Sequence, residues 1–252
     1  VGEPRWSDDE WEAKLDLLRS APVPVVSFTF GCPAPEVLAS LKAVETEVWL
    51  TVTTPTEARA AAEAGAEALI AQGHEAGAHQ GTFDDAGAGE ALGLLALLQL
   101  LAAAETDLPL IASGGIASGA GVAAVLAAGA GAAQIGTAFM LCPEAGTSEP
   151  HRKAIREGGS TELTRAFTGR RARGIANRFL REHRDAPSAY PEIHYATSPI
   201  RAAARERGDA DELNLWAGQV HALAREEPAA DVVARLDAEA RQALEAALRA
   251  DS

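Results

Sequence analysis

Along the chain, short and nearly continuous apolar runs alternate with longer stretches in which apolar residues recur at helical spacing. The runs VPVVSFTF (23–30), EVWLTVT (47–53), EALIAQG (67–73), LPLIASGG (108–115) and AAQIGTAF (132–139) predict five β-strands. Strands apolar on both faces belong in a parallel sheet, and their alternation with helical stretches predicts repeated βα units. The clearest helix start is Thr54-Pro55-Thr56-Glu57, a capping box with proline at the first helical position, followed by TEARAAAEAG and a stop at Gly65. Residues 90–107 and 118–130 predict two further helices, each returning the chain to its next strand. After residue 143 no strand-like run is visible, which predicts a helical region to the end. Its last helix, 231–250, places Val232, Val233, Leu236, Ala240, Leu244 and Leu248 on roughly one face, as a docking helix.

Five parallel strands do not close a (β/α)8 barrel, which needs eight. The pattern therefore predicts an α/β fold of the TIM-type (β/α)8 barrel family: a partial barrel of about five C-terminal βα strands in residues 1–143, with the first three strands absent, and a helical region in 144–252. With 47% hydrophobic and 23% charged residues the composition is that of an ordinary globular protein rather than a disordered one. A net charge of −14 speaks against a nucleic-acid partner, because phosphate backbones are held by an excess of Lys and Arg. The charged first residues and the lack of a long uncharged apolar run predict neither a signal peptide nor a membrane span. Two cysteines, Cys32 and Cys142, without CxxC spacing suit a reducing cytoplasm.

Two loops carry the candidate chemistry. The first, QGHEAGAHQG (72–81), follows the third strand, where parallel α/β folds hold their ligands. Its glycines let the backbone approach a ligand, and His74 and His79 beside Glu75 offer proton transfer near neutral pH, or a polar loop bonded only to itself. The three side chains are metal-ligand types, but their spacing matches no zinc pattern and no metal is expected. The second pairs Ser113-Gly114-Gly115-Ile116 with Gln134-Ile135-Gly136-Thr137, at the ends of the last two strands. Successive glycine-bearing strand ends match the phosphate site of barrels, with backbone N–H groups and the Thr137 hydroxyl as donors. Seven arginines in 165–184 read as a salt-bridged face within an acidic chain, and Trp216 as either core or pocket wall.

Taken together, SFTFG (27–31), AQGHEAGAHQG (71–81), PLIASGGIASGAGVAAVLAAGA (109–130), AAQIGTAFM (132–140), GRRARGIANRF (169–179) and NLWAGQ (214–219) resemble the nitronate monooxygenase (2-nitropropane dioxygenase) family in content and order. The resemblance implies an FMN-dependent barrel with a helical lid that oxidises alkyl nitronates with O2 to a carbonyl compound and nitrite. It implies FMN contacts at Gln72 and Gly77, a phosphate cradle at Gly114, Gly115, Gln134, Ile135, Gly136 and Thr137, and His79 as catalytic base. The family usually carries glycine where this chain has Ala78. Flavin-dependent enoyl-ACP and NAD(P)H:quinone reductases share the EAGxH and GGI motifs, which leaves a reductase as an alternative. A non-catalytic half-barrel that associates through its open edge, possible homo-oligomer included, is another.

Overall fold

The computed structural model describes residues 1–87, 91–104 and 106–249. A helix, α1 (Trp11–Ser20), precedes β1 (Val25–Phe28), α2 (Pro35–Lys42), β2 (Glu47–Val52), α3 (Pro55–Glu63) and β3 (Ala68–Gln72). A two-residue strand, β4 (Ala78–His79), then leads to α4 (Leu94–Ala102), β5 (Leu110–Ser113), α5 (Gly119–Ala127) and β6 (Ala132–Gln134). The five predicted strands pair in parallel in the order β1-β2-β3-β5-β6, and among the described residues β1 and β6 are the two open edges. This is the α/β architecture expected of a partial barrel, with no closure of the sheet among the described residues.

Alternation along the strands sends Val48, Leu50, Val52, Leu69, Ala71, Leu110 and Ala112 to one face, under the buried leucines of α2 and α4. Leu97 and Leu98 are fully buried there, each contributing about 1.5–3 kcal/mol by leaving water. The opposite face carries a smaller cluster of Ala68, Ile70 and Ile111 against Trp49. That face opens towards β1, where Val25 is exposed.

Helix α3 starts as predicted, with the Thr54 hydroxyl accepting from Glu57 N at 3.2 Å. The Glu57 carboxylate reaches back one residue further than a standard capping box, to Thr53 N at 2.6 Å, and its other oxygen accepts from Phe83 N at 2.7 Å. One buried carboxylate therefore ties the end of β2 to the loop beyond β4. Helix α4 is shorter than the 90–107 expectation, of which residues 90 and 105 lie outside the described residues.

The segment after residue 143 departs from the expectation of a wholly helical region. It contains α6 (Glu149–Glu157), α7 (Arg178–Glu182), α8 (Glu192–Arg207) and α9 (Ala229–Arg249), but also the hairpin β7 (Thr161–Thr164) and β8 (Ala172–Ile175). β8 pairs antiparallel with β7 on one side and with β4 on the other, His79 opposite Ala172. All four residues of β8 are buried, Arg173 included, so neither strand shows an apolar run. The Arg173 guanidinium meets its needs through His74 O at 3.0 Å and Thr161 Oγ1 at 3.2 Å.

Helix α9 docks on α5 through buried Val232, Leu236 and Ala240, and its Glu239 accepts from Gly119 N at 3.0 Å. Val233 and Leu248, expected on the docking face, are instead 57% and 79% exposed. Val233 sits about 100° round from Val232, and a 21-residue helix of about 31 Å outruns a nine-residue partner of about 13 Å.

Candidate functional site

A cleft of about 230 Å³ lies at the carboxyl ends of β3, β5 and β6. Its lining brings together Gln72, Gly77, Gly114, Gly115, Gln134, Ile135, Gly136 and Thr137, the eight residues expected to hold a cofactor. Gly114 and Gly115 turn the chain out of β5 with φ of 104° and 67°, so their backbone faces the cleft in a conformation that side-chain-bearing residues avoid. The run predicted as one strand over 132–139 ends at Gln134 and passes into a 3-10 turn, Thr137–Phe139. Among the described residues the N–H groups of Gly115, Gly136 and Thr137 donate to no protein acceptor. Thr137 Oγ1 accepts from Gly218 N at 3.0 Å, which leaves its own proton to donate.

The far wall comes from a strap around Trp216, a residue that the sequence offered as either core or pocket wall. Residues 214–220 cross over the loop after β3: Ile175 N bonds Leu215 O at 2.8 Å and Gln219 N bonds Glu75 O at 3.0 Å. Gly218 and Val220 thereby line the cleft. A Cβ on Gly77 would sit 2.5 Å from Gly218 N and 2.6 Å from Ala217 C, so the close crossing requires glycine. NLWAGQ was legible as a motif, but nothing local in it tells which loop it crosses.

The trio His74, Glu75 and His79 does not act as a unit. The Glu75 carboxylate accepts from Leu94 N with both oxygens at 3.0 Å, capping α4, where a negative charge is favoured by the helix dipole. His74 lines a separate small recess with Thr53, Thr54 and Arg171. Among the described residues no three His, Cys, Asp or Glu side chains gather as a metal site. Gln72 spends its amide on the same loop, donating to His79 O at 3.2 Å and accepting from Gly81 N at 2.6 Å.

His79 stands outside the lining of the cleft, in an aromatic enclosure. Its ring lies 5.7 Å from Phe30, 5.8 Å from Tyr190 and 5.7 Å from Trp216. Nε2 is 2.8 Å from Thr168 Oγ1, in the turn between β7 and β8. Ala78 beside it takes φ of 64°, a left-handed conformation that glycine would hold without strain. Phe30 is also left-handed, φ 77°, and lies under the Arg170 guanidinium at 4.2 Å.

The charge around His79 is positive. Burial pushes its imidazole down to about 4, and repulsion from Arg170, His194 and Arg201 adds to this against the opposing pull of Asp85. Burial also lowers Arg170 and Arg201, neither of which forms an ion pair among the described residues. Arg170 donates to Gln80 O and Thr82 O, and Arg201 to His194 O at 2.8 Å. The arginine-rich stretch is thus only partly a salt-bridged face. Asp85 does anchor part of it, accepting from Arg165 Nε at 2.9 Å, Arg171 N at 3.1 Å and Ser188 Oγ at 3.0 Å. Burial alone would raise that carboxyl, but those bonds hold it below the ordinary range.

Residues 2–239 match the family model for nitronate monooxygenase. A nitronate monooxygenase of Paraburkholderia phytofirmans is 43% identical over 227 residues, 88% of this chain and 62% of that protein. One of Pseudomonas aeruginosa is 43% identical over 232 residues, 89% of this chain and 65% of that protein. The chain thus spans a little under two thirds of the length of these curated relatives. Among solved structures, a nitroalkane oxidase from Streptomyces ansochromogenes superposes with a TM-score of 0.95 at 52% identity, covering 98% of this chain and 72% of that one. FabK from Thermotoga maritima superposes with a TM-score of 0.82 at 28% identity, covering 97% of this chain and 76% of that one.

Proposed function

The chain belongs to the nitronate monooxygenase family, and on that premise we propose that it binds FMN and oxidises alkyl nitronates with O2 to a carbonyl compound and nitrite, with His79 as base. The observation that carries the reading is a cleft with three unspent backbone N–H groups and one unspent hydroxyl proton, lined by Gly77, two residues before a neutral histidine in positive surroundings.

The donor set fits the cofactor. Gly115, Gly136 and Thr137 would hold the phosphate, as backbone donors at strand ends hold anions, while Gln72, Gly77, Gly114, Gln134 and Ile135 would line the remainder. FMN, when bound, supplies an acceptor for the electrons of the nitronate and a donor of them to O2. The protein supplies position and electrostatics. Arg170 and Arg201, without carboxylate partners, favour a substrate that arrives as the nitronate anion over its neutral nitroalkane form. His79, neutral at pH 7, would take the proton α to the nitro group where a neutral nitroalkane enters, and would orient a nitronate through its free ring nitrogen. Phe30, Tyr190 and Trp216 give its ring apolar neighbours on three sides. The two thiols, Cys32 and Cys142, are free, which suits work in the cytoplasm.

The test is to load the purified chain with FMN and follow O2 uptake and nitrite release with propyl-2-nitronate, with NAD(P)H as a parallel substrate. Turnover of nitronate that falls about 100-fold or more in His79→Asn is the expected result. Oxidation of NAD(P)H in preference to nitronate would replace the reading with a reductase, and a chain that retains no FMN would refute it outright.

A further inference from the structure

We infer that Thr168 is a positioning residue: it takes the Nε2–H of His79 and so leaves Nδ1 as the ring nitrogen that acts as base. The role of His79 here rests on the function proposed above; the tautomer itself does not.

A hydroxyl has one proton to give and two lone pairs to receive. Thr168 Oγ1 has three neighbours to serve: His79 Nε2 at 2.8 Å, the carbonyl of Arg170 at 3.2 Å and the N–H of Arg170 at 3.5 Å. If the hydroxyl proton points to Arg170 O, both lone pairs accept, one from Arg170 N–H and one from His79 Nε2–H. All three contacts are then made. If the proton points to His79 Nε2 instead, Arg170 O loses its donor and only two are made. Thr168 is 2% exposed, so a forfeited bond here is not replaced by water. The counting selects the Nε2–H tautomer.

Two further features agree with it. Nδ1 makes no hydrogen bond among the described residues, so it is the nitrogen at liberty. The resting ring is also held neutral at pH 7, because burial and the guanidinium groups of Arg170 and Arg201 disfavour the charged imidazolium. Groups from each neighbouring element enter that balance: Arg170 from the β7–β8 turn, His194 and Arg201 from α8, and Asp85 from the loop beyond β4. Thr168 reaches His79 because β4 and β8 pair with His79 opposite Ala172, which places the turn at 168–170 over the ring. The hairpin that the apolar pattern concealed therefore sets the chemistry of the histidine that the motif revealed.

The decisive measurement is the long-range 1H–15N spectrum of the histidine rings in the 15N-labelled, FMN-loaded chain at pH 7, with His79 assigned by its loss in His79→Asn. A pyridine-type Nδ1 with a pyrrole-type Nε2 supports the assignment; the reverse pattern overturns it, whatever the activity. Thr168→Val, which keeps shape and loses the hydroxyl, should shift the ring away from that pattern and lower kcat/KM for nitronate by about tenfold. Thr168→Ser should restore both. A valine variant with the unchanged ring pattern would overturn the role of Thr168 even if its activity fell. Because the spectrum needs no substrate, failure of nitronate turnover in the unsubstituted chain would count against the proposed reaction and not against the tautomer.

Discussion

Acid should weaken this fold through His79, and the size of the loss follows from its surroundings. An imidazole ordinarily titrates at 6.5, whereas this one is held down to about 4 by burial and by Arg170, His194 and Arg201. Between those values the unfolded chain takes up a proton that the folded chain refuses. Stability from this group is therefore complete above pH 6.5 and is lost as the pH falls towards 4. The gap of about 2.5 pH units corresponds to about 3 kcal/mol in full, and about 2 kcal/mol of that is gone by pH 5. His74, His151 and His194 are lowered in the same direction, so the total acid loss is not the quantity to read. The informative quantity is the difference between the chain and His79→Gln, which keeps a polar side chain of similar reach and cannot titrate. Urea unfolding followed by tryptophan fluorescence at pH 7 and pH 5 supplies it, four tryptophans being present. The glutamine variant should lose about 2 kcal/mol less than the parent over that interval. Equal losses in both proteins would refute the reasoning, and with it the claim that this histidine stays neutral in positive surroundings.

Two backbone predictions concern the same loop. Gly77→Ala forces a Cβ against Ala217 and Gly218 and should cost about 1–3 kcal/mol in the urea midpoint, together with weaker FMN retention because the strap that walls the cleft is pushed away. Ala78→Gly relieves the left-handed backbone at φ 64° and, after the entropy that glycine adds to the unfolded chain, should raise stability by about 0.5–1 kcal/mol; a loss of stability on calorimetry would refute it.

The half of the molecule that reads from sequence is the half built on local rules. Strands β2, β3 and β5 are visible because one face packs under helices while the other keeps Trp49, Ala68, Ile70 and Ile111, so their runs are apolar throughout. The start of α3 is visible because Thr54 satisfies a backbone N–H three residues away. The glycine pairs at 114–115 and around 136 are visible because a chain that leaves a strand end towards a ligand needs that backbone. Each of these signals acts within about ten residues of the structure it specifies.

What covers the site obeys a different logic. β8 buries Arg173 and the turn before it buries Arg170, and both are accepted in the interior because carbonyls of the loop 74–82, some ninety residues earlier in the chain, receive their protons. A buried arginine satisfied by distant carbonyls looks, in sequence, the same as a surface arginine. The strap at 214–220 likewise owes its place to Glu75 O and to β8, not to its own composition. Local pattern thus specifies the floor and the glycine-rich corner of the cleft, while long-range polar bonds specify the roof. His79 lies where the two meet: its backbone belongs to the legible glycine loop, and its state of protonation belongs to Thr168, Arg170 and Arg201, supplied from the roof. A motif can therefore locate this histidine, but its neutral charge and its hydrogen-bond partners are properties of the tertiary fold.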